Sequence, residues 1–531
     1  MKRTIYLLAF LWAFFGQLNA QFDMEVKFGE LGKLTPPIFS VQLESGQFIY
    51  AKKVGSAATV VFDLLDEQMN ILKSVESDLV FKYARSKPEK NLRAVEFWGG
   101  KLYAFYSTNK DRDSYKVHAE EIDQATLKLS GTPIAIGDFE KKGEIAYGQK
   151  MYFIKSMDEQ RLLIYMKEIK VKKESNGRNE YLQMMVLDES LDMQWQKGLL
   201  VSDSEGRNVY LDVVVNNAGE AFVLGQKVVG NIANNITGRY PDYNNYTLYK
   251  FDSRGAQKFS RKLKLEERKS RRLNLSISPK EDLLVSGAFY TRQGGNGILY
   301  MRFNSFDLRA QKTAFNLLDP EYIVQGYSET DVKRVSNQNN NLNPYNLPIN
   351  VQEVIHRPDG GVILLGERFR KFSGEALSGF IFGEIFIIHL DEKGNLDWNR
   401  KIMRKQQVLN GSHSPEMGLY TFGSFTYAIQ DDNIILLFND HEQNMELDRD
   451  YEDVKFALCS TSGRILKNAF NAVRIDDAGN MEREQIFLSS EHEVVIYPVC
   501  SKPLNKRRTE FILFGRYKSK NQMRLGHLFV E

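Results

Sequence analysis

The sequence is poor in cysteine, with only Cys459 and Cys500 among 531 residues. A chain of this length cannot depend on a disulfide framework when it has so few thiols. One bridge between the two and a pair of buried free thiols both fit the sequence. Long apolar runs are also missing after residue 20, so we expect no transmembrane segment in the mature chain.

Charge of one sign is lacking as well, since 71 basic and 68 acidic residues leave a formal net charge of +3. This balance gives no argument for a nucleic-acid partner or for an anionic membrane surface. One basic run, between Arg261 and Arg272, is interrupted by Glu266 and Glu267. We interpret this run as a charged surface loop, with contact to an anionic polymer as the alternative.

Short catalytic signatures are absent too. The sequence contains neither a His-Glu-x-x-His zinc motif nor a nucleophile elbow, and its seven histidines are scattered. Carboxylates brought together by the fold could still form a hydrolase, because sequence spacing does not report such convergence.

The N-terminus carries a targeting signal. Lys2 and Arg3 precede an apolar run over Thr4–Gly16, and Ala20 offers a small residue at a cut before Gln21. The run is short for a bilayer span, so residues 1–20 are predicted to be a cleaved signal peptide. The alternative is an uncut anchor. Export to the periplasm, the outer membrane or the extracellular space is therefore expected.

A unit of four short strands organises the rest of the chain, and Asn350–Met403 shows it best. Alternating strands flank a turn at Pro358–Gly361, and a second hairpin turns at Asp391–Gly394. Alternation of period two predicts half-buried strands, while Asp and Gly favour tight turns. No stretch after the signal shows convincing helical periodicity.

The same unit recurs at intervals of 54 to 80 residues. Its first turn falls near Gly46, Gly100, Gln160, Gly219, Lys280, Gly360, Asp432 and His492. The seventh second hairpin is placed at Val454–Cys459 and the eighth at Thr509–Tyr517. A four-stranded repeat of this length is typical of a β-propeller, because one blade cannot bury both faces alone.

We therefore predict an all-β fold with a single eight-bladed β-propeller of four-stranded antiparallel blades over residues 36–531. A lead-in at 21–35 carries a strand at Met24–Phe28. The alternatives are seven blades plus an extra hairpin, or two or more β-sandwiches.

The strand–Asp-x-x-Gly–strand units resemble the loosely patterned repeats of quinoprotein-type and similar secreted bacterial β-propellers. The closest match is Asp391–Trp398. The fuller quinoprotein pattern, with Ala before the Asp, Thr-Gly after it and a Trp, is not met. The Gly-His and Trp-Asp pairing of another large propeller family is absent. The resemblance thus implies a fold and does not imply a cofactor.

One face of the predicted ring carries the long connections. With strands A to D counted outward from the axis, A–B and C–D turns are short, whereas B–C and D–A connections are long. The long ones are Gly230–Asn244, Leu317–Leu347, Ser373–Glu384, Lys405–Gly418 and Glu442–Asp453. Long loops on one side of a rigid scaffold predict a binding face, with neutral insertion as the alternative.

Candidate partner-binding residues on this long-loop face are Asn234, Tyr240, Tyr243, Tyr246, His413 and His441. Aromatic rings beside amides suit contact with a peptide or a glycan, although the same tyrosines could pack on the blade edge. Acidic residues between Asp440 and Asp453, and again at Asp476–Asn480, could hold Ca²⁺, but their spacing matches no known ligand loop. A solvated acidic loop is favoured, and no cofactor is required.

The resulting hypothesis is an exported, non-catalytic propeller that binds a protein or glycan partner through the long-loop face. The competing hypotheses are a hydrolase or lyase acting on extracellular polysaccharide and a structural subunit of an envelope assembly.

Overall fold

The structure, a computed structural model, consists almost entirely of β-strands. It describes residues 24–30, 38–43, 45–55, 58–81, 90–108, 114–141, 151–171, 178–200, 207–229, 242–270, 272–291, 295–329, 349–373, 378–409, 423–447, 450, 453–458, 467–498, 501–504, 508–517 and 522–530. Within these ranges, no helix is long and apolar enough to span a membrane.

The strands follow one another in four-stranded antiparallel units, after a first strand β1 (Met24–Phe28). Unit 1 contains β2 (Phe39–Gln42), β3 (Phe48–Val54), β4 (Thr59–Leu65) and β5 (Ile71–Val80). Unit 2 contains β6 (Asn91–Trp98), β7 (Lys101–Thr108), β8 (Ser114–Glu121) and β9 (Ile134–Glu140). Unit 3 contains β10 (Met151–Lys155), β11 (Leu162–Val171), β12 (Arg178–Leu187) and β13 (Met193–Leu199). Unit 4 contains β14 (Arg207–Val215), β15 (Ala221–Val229), β16 (Asp242–Phe251) and β17 (Gln257–Lys262).

The second half repeats this order. Unit 5 contains β18 (Asn274–Ile277), β19 (Leu283–Tyr290), β20 (Asn296–Phe303) and β21 (Ala310–Leu317), followed by helix α1 (Pro320–Val324). Unit 6 contains β22 (Ile349–His356), β23 (Val362–Ser373), β24 (Ser378–Leu390) and β25 (Leu396–Ile402), with β26 (Gln406–Leu409) beside β24. Unit 7 contains β27 (Thr426–Gln430), β28 (Asn433–His441), β30 (Asn468–Ile475) and β31 (Met481–Leu488), while β29 (Ala457–Leu458) lies parallel to β26. Helix α2 (Ser489–His492) leads to unit 8, with β32 (Val494–Ile496), β33 (Lys502–Pro503), β34 (Glu510–Tyr517) and β35 (Met523–Val530).

This pairing confirms the predicted all-β propeller of four-stranded antiparallel blades. Units 1 and 2 are joined into one eight-stranded sheet by a single parallel pair, Val80 with Asn91, and every other pairing inside them is antiparallel. The number of blades stays a prediction, with eight units described here and seven blades plus a hairpin as the alternative.

The N-terminal strand is the outer strand of unit 8. β1 pairs antiparallel with β35, from Met24 opposite Val530 to Phe28 opposite Gly526. The ring of Phe28 packs edge-on against Phe487 of unit 7, with ring centroids 5.3 Å apart. The first and last described strands therefore pair in one sheet, which closes the chain on itself.

Two predicted hairpins in the last third are wrong. Val454–Cys459 alternates like a strand, but only Ala457 and Leu458 pair, and they do so with β26 in unit 6. The third strand of unit 7 is β30, and Asp476–Asn480 is its tight outer turn, in which Asp476 Oδ1 accepts the Asn480 amide at 2.7 Å. His492 ends helix α2 on a connection between units, so unit 8 begins one strand later than predicted.

The predicted excursion at Ser373–Glu384 is wrong as well. β23 and β24 continue their pairing from Glu367–Ile385 out to Ser373–Ser378. This extension is stabilised by burial, because Phe380 and Phe382 are 4% and 2% exposed in a cluster with Val408 of β26. The stretch that we interpreted as a loop therefore continues the paired strands β23 and β24 toward the long-loop face.

Tryptophans join neighbouring units at the opposite face, where the tight turns lie. The indole N–H of Trp98, Trp195 and Trp398 donates to a turn carbonyl of the next unit at 2.9, 2.9 and 3.0 Å. Trp398 of unit 6 thus donates to the carbonyl of Asp477 in unit 7. The tight turns therefore form contacts between neighbouring units. These contacts constrain the tight-turn face, whereas the long-loop face can vary in sequence and length.

Candidate functional site

A cavity of about 460 Å³ lies between units 5 and 6, at the end of the strands where the long connections begin. Its position follows from strand ends: Tyr290 ends β19, Asn296 begins β20, and Ile349 begins β22. The lining side chains are Arg272, Ala288, Phe289, Tyr290, Asn296, Ile349, Asn350, Val351, Gln352, Glu367, Phe369, Phe382 and Ser424. The size is typical of a small-molecule site, and it lies on the face predicted to bind.

A β-bulge shapes the floor of this cavity. The pairing of β22 with β23 shifts between Val351 and Glu353, so Gln352 is the extra residue. A bulge redirects a side chain, and here the Gln352 amide donates to Glu367. Ser424, just before β27, donates its hydroxyl to the same carboxylate oxygen at 2.7 Å.

The second oxygen of Glu367 binds Arg404. The ion pair measures 2.5 Å, and the two side chains are 1% and 0% exposed. Burial raises the pKa of the Glu367 carboxyl, opposed by the Arg404 charge and by the Ser424 and Gln352 hydrogen bonds. Arg404 also donates to the carbonyls of Gly383 and Ser424, at 3.1 and 2.9 Å. Because both carboxylate oxygens are occupied, Glu367 is a structural acid that holds the floor rigid.

The floor continues into unit 8 through buried amides. Gln406 donates to the Asn439 carbonyl at 2.6 Å and accepts the Ser424 amide at 2.8 Å. The Asn439 side chain then donates to the Ile496 carbonyl at 2.7 Å. A polar chain thus joins units 6, 7 and 8 beneath the cavity.

Aromatic rings form the cavity walls. Phe369 packs against Phe382 with ring centroids 5.1 Å apart. Phe289 packs edge-on against Phe315 at 5.8 Å, and the Arg268 guanidinium lies 4.0 Å from the Phe315 ring centroid. Rings held by such contacts offer fixed apolar faces beside the amides of the floor.

Asn296 supplies an unused donor. The side chain is 5% exposed, and its Nδ2 has no hydrogen-bond partner among the described residues. An unpaired buried amide is costly, so this donor is available to a molecule that enters the cavity.

Polar side chains also meet on the axis beside the cavity. Asp212 Oδ2 accepts the Leu275 amide at 3.0 Å, and the Tyr427 hydroxyl donates to Glu353 Oε2 at 3.4 Å. The surrounding strands displace water from both carboxyls, which raises the pKa of Asp212 and of Glu353. The positive charge of Arg272, which lines the cavity, opposes this rise in both pKa values. Arg272 therefore interacts electrostatically with the axial carboxyls.

The sequence-predicted site residues are placed only in part. Asn234, Tyr240 and His413 lie outside the described residues, as do the side chain of Tyr243 and both cysteines. Tyr246 is 1% exposed, and its hydroxyl donates to the Ser270 carbonyl at 2.7 Å, so its position lends no support to a surface role. His441 ends β28, half-buried, and burial lowers the pKa of its imidazole. Neither Tyr246 nor His441 lines the cavity.

Asp440, the first residue of the acidic stretch, has a structural role. Asp440 is fully buried and pairs with Arg483 at 2.8 Å, and it also accepts the Asn444 amide at 2.8 Å. In the part of the chain that the structure describes, no group of three or more His, Cys, Asp or Glu side chains is arranged to hold a metal. Calcium binding in this loop stays a prediction.

Sequence reasoning missed the cavity residues because they come from seven separate segments of the chain. One local signal exists: Gln352 and Glu353 place two polar residues in succession within an alternating strand. Such a break in period indicates a bulge, and bulges are frequent beside functional sites.

Comparisons with known proteins give no family for this chain and only distant structural similarity. No protein-family model matches it, and no curated protein matches its sequence. Among solved structures, it is similar to the WD40 domain of SCAP from fission yeast, at 7% identity over 96% of this chain and 98% of that one, with a TM-score of 0.38. It is also similar to the quinohemoprotein alcohol dehydrogenase of Comamonas testosteroni, at 9% identity over 96% and 78%, with a TM-score of 0.42. A third is prolyl oligopeptidase B from Galerina marginata, at 10% identity over 93% and 55%, with a TM-score of 0.38.

Proposed function

We propose that this protein is an exported, non-catalytic β-propeller that binds a protein or glycan partner through its long-loop face, with the cavity between units 5 and 6 as the centre of contact. The observation that carries the proposal is the cavity itself, because it combines aromatic walls with amide side chains and one unpartnered buried donor. Such walls bury apolar faces of a ligand, while the amides fix its orientation.

The state of Glu367 supports binding over catalysis. Glycoside hydrolysis requires two carboxyl groups that exchange protons and charge with the substrate. Among the described cavity-lining residues Glu367 is the sole carboxylate, and both of its oxygens already accept hydrogen bonds or an ion pair. It is therefore poorly placed to act as an acid or a nucleophile.

The experiment compares two tryptophan substitutions in the full-length exported chain. Asn350→Trp fills the cavity from a half-buried position, whereas Lys393→Trp adds the same ring to an exposed tight turn. Immobilised wild-type and variant chains are incubated with cell-envelope and culture-medium fractions. The proposal expects retained protein or glycan to fall at least tenfold for Asn350→Trp and to be unchanged for Lys393→Trp. Equal retention by all three chains would refute the cavity as the contact.

A second candidate, a polysaccharide hydrolase or lyase, is favoured by the axial carboxyls alone. Burial raises the pKa of Asp212 and of Glu353, and the charge of Asp212 raises the pKa of Glu353 further. Asp212→Asn and Glu353→Gln are the discriminating variants. Release of reducing ends by the wild type, lost in both variants, would favour this candidate over a pure binding role.

A further inference from the structure

We infer that the cavity recognises an acidic glycan, with Arg272 and Asn296 binding the carboxylate of a uronic-acid residue; this inference rests on the proposed function and names its ligand. The argument starts from the hydrogen-bonding capacity that the cavity leaves unused.

The charged acceptor on the floor is already occupied. Glu367 accepts from Gln352 and Ser424 on one carboxylate oxygen and from Arg404 on the other. A ligand that offers mainly donors would find few acceptors to receive them. The floor therefore selects against such a ligand.

By contrast, two side chains that donate hydrogen bonds remain available to a ligand. Asn296 Nδ2 is buried without a partner among the described residues. Arg272 lines the cavity with an exposed side chain, and no described carboxylate lies within ion-pair distance of it. A ligand rich in acceptor oxygens, above all a carboxylate, would satisfy both groups, and Arg is the side chain best suited to bind a carboxylate in a bidentate way.

Further positively charged side chains lie in the connection next to the cavity. The connection from β17 to β18 carries the basic run that ends at Arg272, and its Lys269 pairs through its backbone with Tyr290 on the cavity wall. Arg268 of the same connection lies over Phe289, with its guanidinium 5.5 Å from the ring centroid, and it also pairs with Glu266. The negative charge of Glu367 is neutralised by Arg404, so among the described lining residues no unpaired carboxylate opposes an anion beside Arg272.

The aromatic walls make the ligand a sugar rather than a free organic anion. Phe289 of unit 5 and Phe369 of unit 6 both line the cavity of about 460 Å³. The C–H face of a pyranose ring packs on such surfaces, while its carboxylate reaches the donors at the rim. The basic run between Arg261 and Arg272 thus acquires a role in guiding an anionic polymer to the cavity.

The test uses the full-length chain and two trisaccharides of equal length, trigalacturonic acid and neutral maltotriose, in titration calorimetry. The inference expects trigalacturonic acid to bind in preference to maltotriose and to bind more weakly as NaCl is raised. Arg272→Gln should reduce the affinity for trigalacturonic acid by about 10- to 100-fold, the effect of one charge-assisted contact. Arg272→Lys should retain part of the binding.

Two further variants separate specific contact from general charge. Asn296→Asp keeps the side-chain volume but replaces the donor with an anionic acceptor, so binding of trigalacturonic acid should be abolished. Lys264→Gln removes an exposed charge of the same basic run away from the cavity and should leave affinity within about twofold. Thermal unfolding of each variant confirms that the fold is kept.

Equal affinity for the two trisaccharides, or an unchanged affinity in Arg272→Gln, would overturn the inference. If neither trisaccharide binds while Asn350→Trp still abolishes retention of envelope material, the acidic-glycan inference fails and the proposed function stands. If Asn350→Trp has no effect on retention, the proposed function fails on its own experiment.

Discussion

The ion pair beneath the cavity gives the sharpest stability prediction. Arg404→Met removes the only charge that neutralises Glu367 at 2.5 Å and leaves a carboxylate that is 1% exposed. Breaking a buried pair in this way costs about 3–5 kcal/mol, because the remaining charge has lost both its water and its partner. The carbonyls of Gly383 and Ser424 also lose their donor. We expect the urea midpoint, followed by circular dichroism, to fall accordingly.

The double variant tests the reasoning behind that number. Glu367→Gln removes the stranded charge and keeps an oxygen for the Ser424 hydroxyl. The cost of Arg404→Met/Glu367→Gln should therefore be at least about 2 kcal/mol smaller than the sum of the two single costs. Lowering the pH should also rescue Arg404→Met, because its uncompensated carboxyl has a raised pKa when folded and accepts a proton more readily than in the unfolded chain.

An exposed ion pair with the same N–O distance is the matched control. Arg474 and Glu482 also lie 2.5 Å apart, but their side chains are 26% and 60% exposed. Arg474→Met should cost only about 0–1 kcal/mol. Equal costs for the buried and exposed pairs, or strict additivity in the double variant, would refute the burial argument.

The remaining predictions concern the tight-turn face. Trp195→Phe loses the indole hydrogen bond to the Gly219 carbonyl and should destabilise the fold by about 1–2 kcal/mol, measured by urea unfolding. Gly394→Ala should cost about 2–4 kcal/mol, because φ is +78° and the new Cβ would lie 2.3 Å from Tyr300 Cδ1; a cost near zero would contradict the assigned turn. Burial lowers the pKa of His356 to about 4, so the folded chain binds fewer protons than the unfolded chain between about pH 4 and 6.5. Stability should fall as pH drops through that window, and His356→Gln should reduce the fall by about 1–3 kcal/mol.

Local turn chemistry explains why most of the repeat could be predicted from the sequence. Asp252 Oδ1 accepts the amides of Arg254 and Ala256 at 3.0 and 2.8 Å, which closes the turn with atoms only a few residues apart. Where a turn is formed by its own residues, Asp-x-x-Gly between alternating strands is sufficient to locate it.

The errors arise where the deciding contacts are distant in sequence. Val454–Cys459 has the pattern of a strand, yet its pairing residues Ala457 and Leu458 face Gln406 and Gln407 of another unit. Ser373–Glu384 is interpreted from the sequence as a loop. In the structure, Phe382 of this stretch is buried against Gly423. Neither partner could be identified without the fold.

The candidate site was predicted as a face and as six residues, and Tyr246 and His441, whose side chains the structure describes, do not line the cavity. The long connections predict a binding face, because loops on one side of a scaffold are free to vary. The cavity lies at that end of the strands, and binding there stays a prediction. Asn296, Gln352, Glu367 and Ser424 meet only through the stacking of units 5, 6 and 7. Their spacing along the chain therefore carries no sign of their proximity.

The most direct test of the account is hydrogen–deuterium exchange of the full-length chain with and without the envelope material that it retains. The account predicts slower exchange at the strand ends around the cavity, at residues 288–290, 296–298 and 349–352, and unchanged exchange in the tight turn at 391–395. Protection confined to the tight turns, or bound material that protects neither region, would contradict a long-loop binding face.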